Sequence, residues 1–362
     1  MDTIKIRRPN MSIHLKSNLF LALITSGLLI ACSEQDQSVA IVTPVIETVP
    51  VSSTDDAADD PAIWVHPTDP EKSLVLGTDK RAGLYIYQLD GSIQGFLPSG
   101  RLNNVDLRQG VTVDNFTGDI AAATNRTDDS VTLFSVSADK TEEWGRFPSL
   151  EAEPYGLCTG MFQGAYTIFV TYKTGTVIAH RLDSANNAPE IARYKFESQL
   201  EGCVFDDKQQ VLYVGEENKG IWRLNTVANK FSPAHLIDEV GSKTGIIADV
   251  EGLALYETSD GKGYLVASSQ GNNSYAVYNR SETNAFITRF RIGDYTAPDG
   301  NLVDATQETD GLAVSSAAMG GAFSNGLLVV QDGQNLPSGS TQNFKFIDWR
   351  MIQSIIEGVS QE

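Results

Sequence analysis

From Asp59 onward the chain is a series of short apolar runs, mostly β-branched and aromatic, broken by polar turn signals every eight to twelve residues or so. Helical period is missing until the last dozen residues, where Trp349 to Val359 predicts a short packing helix. The runs repeat one plan. LVLGTDKRAGLYIYQLDG, DIAAATNRTDDSVTLFSV, YTIFVTYKTGTVIAHRL, VLYVGEENKGIWRL and YLVASSQGNNSYAVYNR each place an apolar strand, a charged or amide turn and a second strand ending near an aromatic residue or Leu. Ahead of most of them stands an acidic or aromatic residue, Gly and an apolar residue: Tyr155-Gly156-Leu157, Glu201-Gly202-Cys203, Glu251-Gly252-Leu253 and Asp310-Gly311-Leu312. Their spacings of 46, 50 and 59 residues are those of four-stranded propeller blades. With DDPAIWV at Asp59 and NVDLRQGV at Asn104 the count is six, so the pattern predicts an all-β, six-bladed β-propeller with four-stranded antiparallel blades. The stretch Ala40 to Val51, interrupted by Pro44, is the candidate to pair into the last blade and close the ring. A β-sandwich followed by a second domain would need a composition break near the middle of the chain, which is absent.

The N-terminus has a different pattern. Lys5, Arg7, Arg8 and Lys16 precede an apolar run from Leu19 to Ala31, the order of a secretory leader, and the run is too short to span a bilayer. It ends in Leu29, Ile30, Ala31, Cys32, which resembles a bacterial lipobox, with Cys32 as the lipidated residue. The expected organisation is a leader over 1–31, a lipid-anchored spacer and closing strand over 32–55, and the propeller over 56–362. The expected location is the cell envelope, with Ser33 favouring the outer membrane, and the lipid is the chain's one contact with membrane.

Charge narrows the function. Across 362 residues, 27 Lys and Arg oppose 46 Asp and Glu, a formal net charge of −19. Loss of the leader removes four basic residues and one Asp and takes the charge to −22. A nucleic-acid partner needs a basic stripe, and nothing longer than Arg7-Arg8 runs basic. Three cysteines are too few for a disulfide scaffold and lack zinc spacing. Cys158 and Cys203 fall in adjacent blades and read as buried small apolar residues.

The acidic residues gather at strand ends. Asp59, Asp60, Asp106, Glu201, Asp249, Glu251, Glu308 and Asp310 are expected just ahead of inner strands, with Glu216, Glu217 and Asp332 after strands or in the next turn. A single Asp-Gly is usually a turn. Repetition at one phase of successive blades instead crowds carboxylates at one mouth, where a hard divalent cation would neutralise them. All-oxygen donors favour Ca²⁺, with Mg²⁺ and Mn²⁺ behind it. Lys80 and Arg81, Arg126 and Lys173 occupy the matching loop of three neighbouring blades. Metal ions beside a row of Lys and Arg suit a polyanion, since phosphate oxygens bind both.

DDPAIWVHP at 59–67, DKRAGLYIYQLDG at 79–91, GRLNNVDLR at 100–108, AAATNR at 121–126, EPYG at 153–156, DVEGLALY at 249–256, KGYLVASSQGNNSYAVYNR at 262–280, TDGLAV at 309–314, VVQDGQN and QNFKF together resemble the alkaline β-propeller phytases over nearly all of the chain from residue 40. The resemblance implies calcium-dependent phosphomonoester hydrolysis of myo-inositol hexakisphosphate (phytate) to inorganic phosphate and lower inositol phosphates, with one phosphate subsite for cleavage and one for affinity. It puts phosphate on Lys80, Arg126, Tyr155 and Lys173, with Arg81 where relatives often carry a second Lys. It puts several calcium ions on Asp60, Glu216, Asp249, Glu251 and Asp310, with Asp59 and Glu217 beside them. The sequence has no RHG motif, no Cys with an Arg six residues on and no Asp pair before Thr, so attack by a calcium-activated water, with Glu216 in the catalytic set, is expected rather than a phosphoenzyme. The partners implied are inositol phosphates as calcium complexes, acted on by a monomer. A six-bladed calcium-dependent lactonase and a non-catalytic propeller scaffold are the alternatives.

Overall fold

The computed structural model describes residues 39–227, 230–297, 300–336 and 341–359. The expected leader and Cys32 lie outside the described residues.

Six antiparallel sheets follow one another along the chain, their inner strands being Ala58–Trp64, Leu102–Val113, Pro154–Phe162, Leu200–Asp206, Val250–Glu257 and Leu312–Ser315. We number these blades 1 to 6. Second strands such as Leu74–Asp79, Val211–Glu216 and Leu327–Asp332 are buried along their whole length. They are covered on both faces by neighbouring blades, which is why LVLGTD and LLVVQD read as continuous apolar runs rather than alternating ones. Outer strands such as Glu190–Lys195 mix exposed and half-buried positions. The core is divided into six apolar clusters, one at each seam between adjacent blades, including the seam between blades 6 and 1. Stability therefore comes from blade-to-blade packing around a closed ring.

Closure differs in one respect from a single N-terminal strand. Pro44 has no N–H to donate and divides the segment. Ala40–Val42 adds to blade 5, parallel to Phe286–Ile292, while Ile46–Glu47 pairs antiparallel with Asn343–Asp348 as the fourth strand of blade 6. Lys345, fully buried, ties this strand in: its Nζ meets Glu47 and Asp304 at 2.5 Å each and Asp332 at 3.3 Å. The helix Trp349–Val359 covers the seam of blades 5 and 6 with Trp349, Ile352 and Ile356, and Trp349 stacks on Tyr256 at 4.0 Å.

The two cysteines are joined, contrary to the sequence-based expectation. Cys158 and Cys203 form a disulfide between the inner strands of blades 3 and 4, where the backbones come within 5.5 Å, Cα to Cα, although 45 residues separate them in sequence.

Candidate functional site

The recurring Gly is an inter-blade contact. Each of the inner strands of blades 1 to 5 carries a register shift at its first residues: Ala58/Pro61, Leu102/Val105, Pro154/Leu157, Leu200/Cys203 and Val250/Leu253. Such a bulge re-aims the side chains at the strand end. The following Gly lets the next blade's bulge approach: a Cβ on Gly156 would stand 1.9 Å from the Glu201 carbonyl oxygen, and one on Gly202 2.0 Å from that of Glu251. Further round, Gly252 N–H donates to the Asp310 carbonyl at 3.2 Å and Gly311 N–H to that of Asp59 at 3.0 Å. Asp59, Glu201 and Glu251 accordingly sit at the second residue of their inner strands, while Asp249, Glu308 and Asp310 stand just ahead of theirs, and the close approach of the blades brings them together.

They line a cavity of about 810 Å³ together with Lys80, Tyr155, Gln199 and Gln270; the carboxylates are those of Asp55, Asp56, Asp59, Glu201, Glu217, Asp249, Glu251, Glu308 and Asp310. Glu201, Glu217 and Glu251, all buried, offer oxygens that lie within 4.8 Å of one another. Glu251 Oε2 is buried with no hydrogen-bond partner among the described residues. Burial, then the charge of Asp59, raises the Glu201 carboxyl above the ordinary range; burial, then Glu201, does the same to Glu251. One ammonium answers several of these charges. Lys80 Nζ meets Asp56 at 2.5 Å, Asp59 at 3.0 Å and Asp310 at 3.1 Å. Burial pulls its pKa down, but the three carboxylates outweigh this and hold it well above the lysine range. Asp310 also accepts from Gln270 Nε2 at 2.5 Å, and Glu217 from Gln199 Nε2 at 2.6 Å. A buried set of oxygen donors without His or Cys, with an unpartnered carboxylate oxygen, fits a hard divalent cation such as Ca²⁺.

A cationic grip adjoins the cluster. The Tyr155 ring has Arg126 Cζ 5.6 Å and Lys173 Nζ 4.4 Å from its centroid. Burial, then Glu201, keeps the Tyr155 phenol protonated well beyond the ordinary range. Arg126 Nη1 donates at 3.0 Å to Asn103 Oδ1, and Asn103 Nδ2 donates to Asp59 at 2.9 Å and Glu201 at 3.0 Å. The fully buried Asn103 thus joins the grip to the carboxylates. Sequence reasoning passed over Asn103 as a site residue and left Glu201 out of the metal set. Both occupy the phase of the other inner-strand site residues, which was the available signal.

Several expected residues face elsewhere. Glu216, adjacent to Glu217 at the end of Val211–Glu216, points to the other side of its strand, where it accepts from Ser198 N and Oγ at 2.7 Å each and Trp222 Nε1 at 2.9 Å. It lines a separate cavity of about 370 Å³ with Lys219 and Trp222. Glu217, the first residue of the turn that follows the strand, alone of the pair reaches the cluster. Asp60 likewise turns from Asp59: its carboxylate accepts from Val105 N at 3.0 Å and borders the cavity at the opposite ends of the inner strands, as does Asp106. Asp332 belongs to the Lys345 clasp. Arg81 stays on the exposed rim, its Nε donating to the Asp56 carbonyl at 3.2 Å.

The sequence profile of the phytase family matches residues 11–360. A 3-phytase of Bacillus subtilis (strain 168) is 38% identical over 333 residues, covering 86% of this chain and 84% of that protein. Among solved structures, the complex of BBS1N with ARL6DN, soaked with lead, superposes with a TM-score of 0.47 and 13% identity over 79% of this chain and 78% of that one, a likeness too distant to bear on function. Propeller architecture, a ring of buried carboxylates and a match over almost the whole length agree: the chain belongs to the phytase family.

Proposed function

We propose that this chain is a calcium-dependent phytase that removes phosphate from myo-inositol hexakisphosphate and acts on calcium complexes of inositol phosphates. The observation that carries the reading is one hydrogen-bonded unit, Arg126–Asn103–Asp59/Glu201, in which a phosphate grip and a cluster of carboxylates share a single buried amide. Glu201, Glu217, Asp249, Glu251 and Asp310, with Asp59, would hold calcium, replacing the expected set that included Glu216 and Asp60. Bound there, calcium supplies charge neutralisation for phosphoryl oxygens and lowers the pKa of an attacking water.

The chain's own side chains do the rest. Asn103 engages one of the five N–H donors of Arg126, and the remaining donors can take a phosphoryl oxygen. Lys173 brings a second positive charge to the same face of the mouth, and Tyr155, its phenol held protonated, orients a phosphate oxygen as a donor. Charge growing on the equatorial oxygens in the transition state is met by these groups without rearrangement, because Asn103 and Tyr155 already hold them. Lys80 is locked among Asp56, Asp59 and Asp310 and serves first as their counter-ion. Arg81, on the rim, is placed to meet a second phosphate.

Export and lipid anchoring at Cys32 are part of this proposal. The disulfide supports them, since such bonds persist in oxidising compartments. Phosphate release from phytate with Ca²⁺, with EGTA, and with Ca²⁺ added back is the test, with a simple lactone as control substrate. Activity that is abolished by EGTA and restored by Ca²⁺ is expected; full activity in excess EGTA, or turnover of the lactone alone, refutes the reading.

A further inference from the structure

Among the described residues one seam of the ring carries a covalent tie close to the mouth. Between blades 5 and 6, and between 6 and 1, inner strands are bridged by main-chain hydrogen bonds, Gly252 N to Asp310 O and Gly311 N to Asp59 O. Between the inner strands of blades 3 and 4 the backbones also approach closely. Their contact at the site is the Gly156 backbone against the Glu201 carbonyl, which Thr171 Oγ1 of blade 3 also caps at 2.6 Å. This seam has the covalent tie: Cys158 stands three residues after Tyr155, and Cys203 two residues after Glu201. Tyr155 belongs to the phosphate grip and Glu201 to the carboxylate cluster, so this seam is where the two halves of the site meet.

We propose that the Cys158–Cys203 disulfide is a positioning element for the reaction, holding Tyr155, with Arg126 and Lys173 on its ring, in register with the Glu201–Glu217–Glu251 cluster. This rests on the functional reading above. Both half-cystines are buried, and the rings around them, Phe169 stacked on Phe205 at 4.8 Å with Phe162 edge-on at 5.9 Å, belong to the apolar seam cluster. That packing holds the outer part of the seam without the sulfurs. What the bond adds is restraint over the last two or three residues of each strand before the mouth. A displacement there of about 1 Å can cost on the order of a hundredfold in rate.

The test compares wild type with Cys158→Ala/Cys203→Ala and with Cys158→Val/Cys203→Ala, the latter refilling volume, each assayed well below its own Tm. Phosphate release from phytate gives kcat and KM, and the Ca²⁺ midpoint of the Tm increase gives a readout independent of turnover. Expected in both variants is a loss of about tenfold in kcat, with KM moved by less than about twofold and the Ca²⁺ midpoint raised severalfold. Variants with wild-type kcat and Ca²⁺ midpoint and only a lower Tm make the bond a stabiliser alone and overturn the proposal. Failure of both variants to fold overturns it too, because the seam would then depend on the bond for its stability. A wild-type chain that neither releases phosphate nor responds to Ca²⁺ defeats the functional reading instead, a result distinct from variants that match an active wild type.

Discussion

Lys80→Met offers the sharpest check on how the mouth balances its charge. The substitution keeps an unbranched apolar stem and removes the ammonium that faces Asp59 at 3.0 Å and Asp310 at 3.1 Å. With an effective dielectric constant near 20, each contact is worth roughly 5 kcal/mol of gross attraction, much of it offset by desolvation of the ions. Asp56 at 2.5 Å adds little, because its side chain is 75% exposed and water screens it. Asp59 and Asp310 are buried, so deleting their partner leaves uncompensated charge, a change that typically costs about 3–5 kcal/mol. In a domain of this size that lowers Tm by roughly 4–8 °C. Ca²⁺ should recover more in the variant than in wild type, because a cation binding only the folded state stabilises it most where the carboxylates are least compensated. The assay is differential scanning fluorimetry near pH 8 or so, where the carboxylates have most charge to lose, in EGTA and over a Ca²⁺ series. An unchanged Tm in EGTA, or a Ca²⁺ gain equal to wild type, would mean that Lys80 does not balance these charges and would refute the reasoning.

Further predictions separate neighbouring residues and separate activity from stability. Glu217→Gln should raise the Ca²⁺ midpoint and reduce phosphate release by about tenfold or more, while Glu216→Gln should lower Tm and leave the Ca²⁺ midpoint alone; the reverse pattern would return Glu216 to the site. Arg126→Ala should cut kcat/KM for phytate by roughly a hundredfold with a small change in Tm, and wild-type kcat/KM would place Arg126 outside the grip. His180 tests acid stability. It is fully buried against Phe147, Nδ1 lies 3.0 Å from the Ala188 carbonyl, and Nε2 has no partner among the described residues. Burial holds its pKa below 6.5, outweighing the Ala188 bond and Glu190 that favour the cation, with Arg193 opposing it. A depressed folded pKa means that the unfolded chain binds the proton first, so His180's contribution is intact above 6.5 and is lost as pH falls below it. Denaturant midpoints of His180→Phe between about pH 8 and pH 5 should fall less steeply than those of wild type.

How much of this was legible in the chain depends on the range of the interaction concerned. The blade count, the phase of the acidic dipeptides, the Lys and Arg row and the terminal helix are written in short-range periodicity, because each blade is a meander of hairpins whose strands are neighbours in sequence. The division of the closing segment could be read only as a break at Pro44; which sheet each half joined depended on edges some 250 to 300 residues away. The choice between Glu216 and Glu217, or between Asp59 and Asp60, was invisible for a different reason. Two adjacent carboxylates carry the same local signal, while a one-residue change of register exchanges the faces they point to.

Sequence alone thus determined that six β-meanders would form and that acidic and basic side chains would recur at one phase of them. Tertiary structure decided which members of that set meet, that Asn103 joins them and that Cys158 reaches Cys203. These outcomes follow from bulges and from blade-to-blade contacts too close to admit a Cβ at Gly156 or Gly202, which packing of one blade on the next sets and no local pattern records.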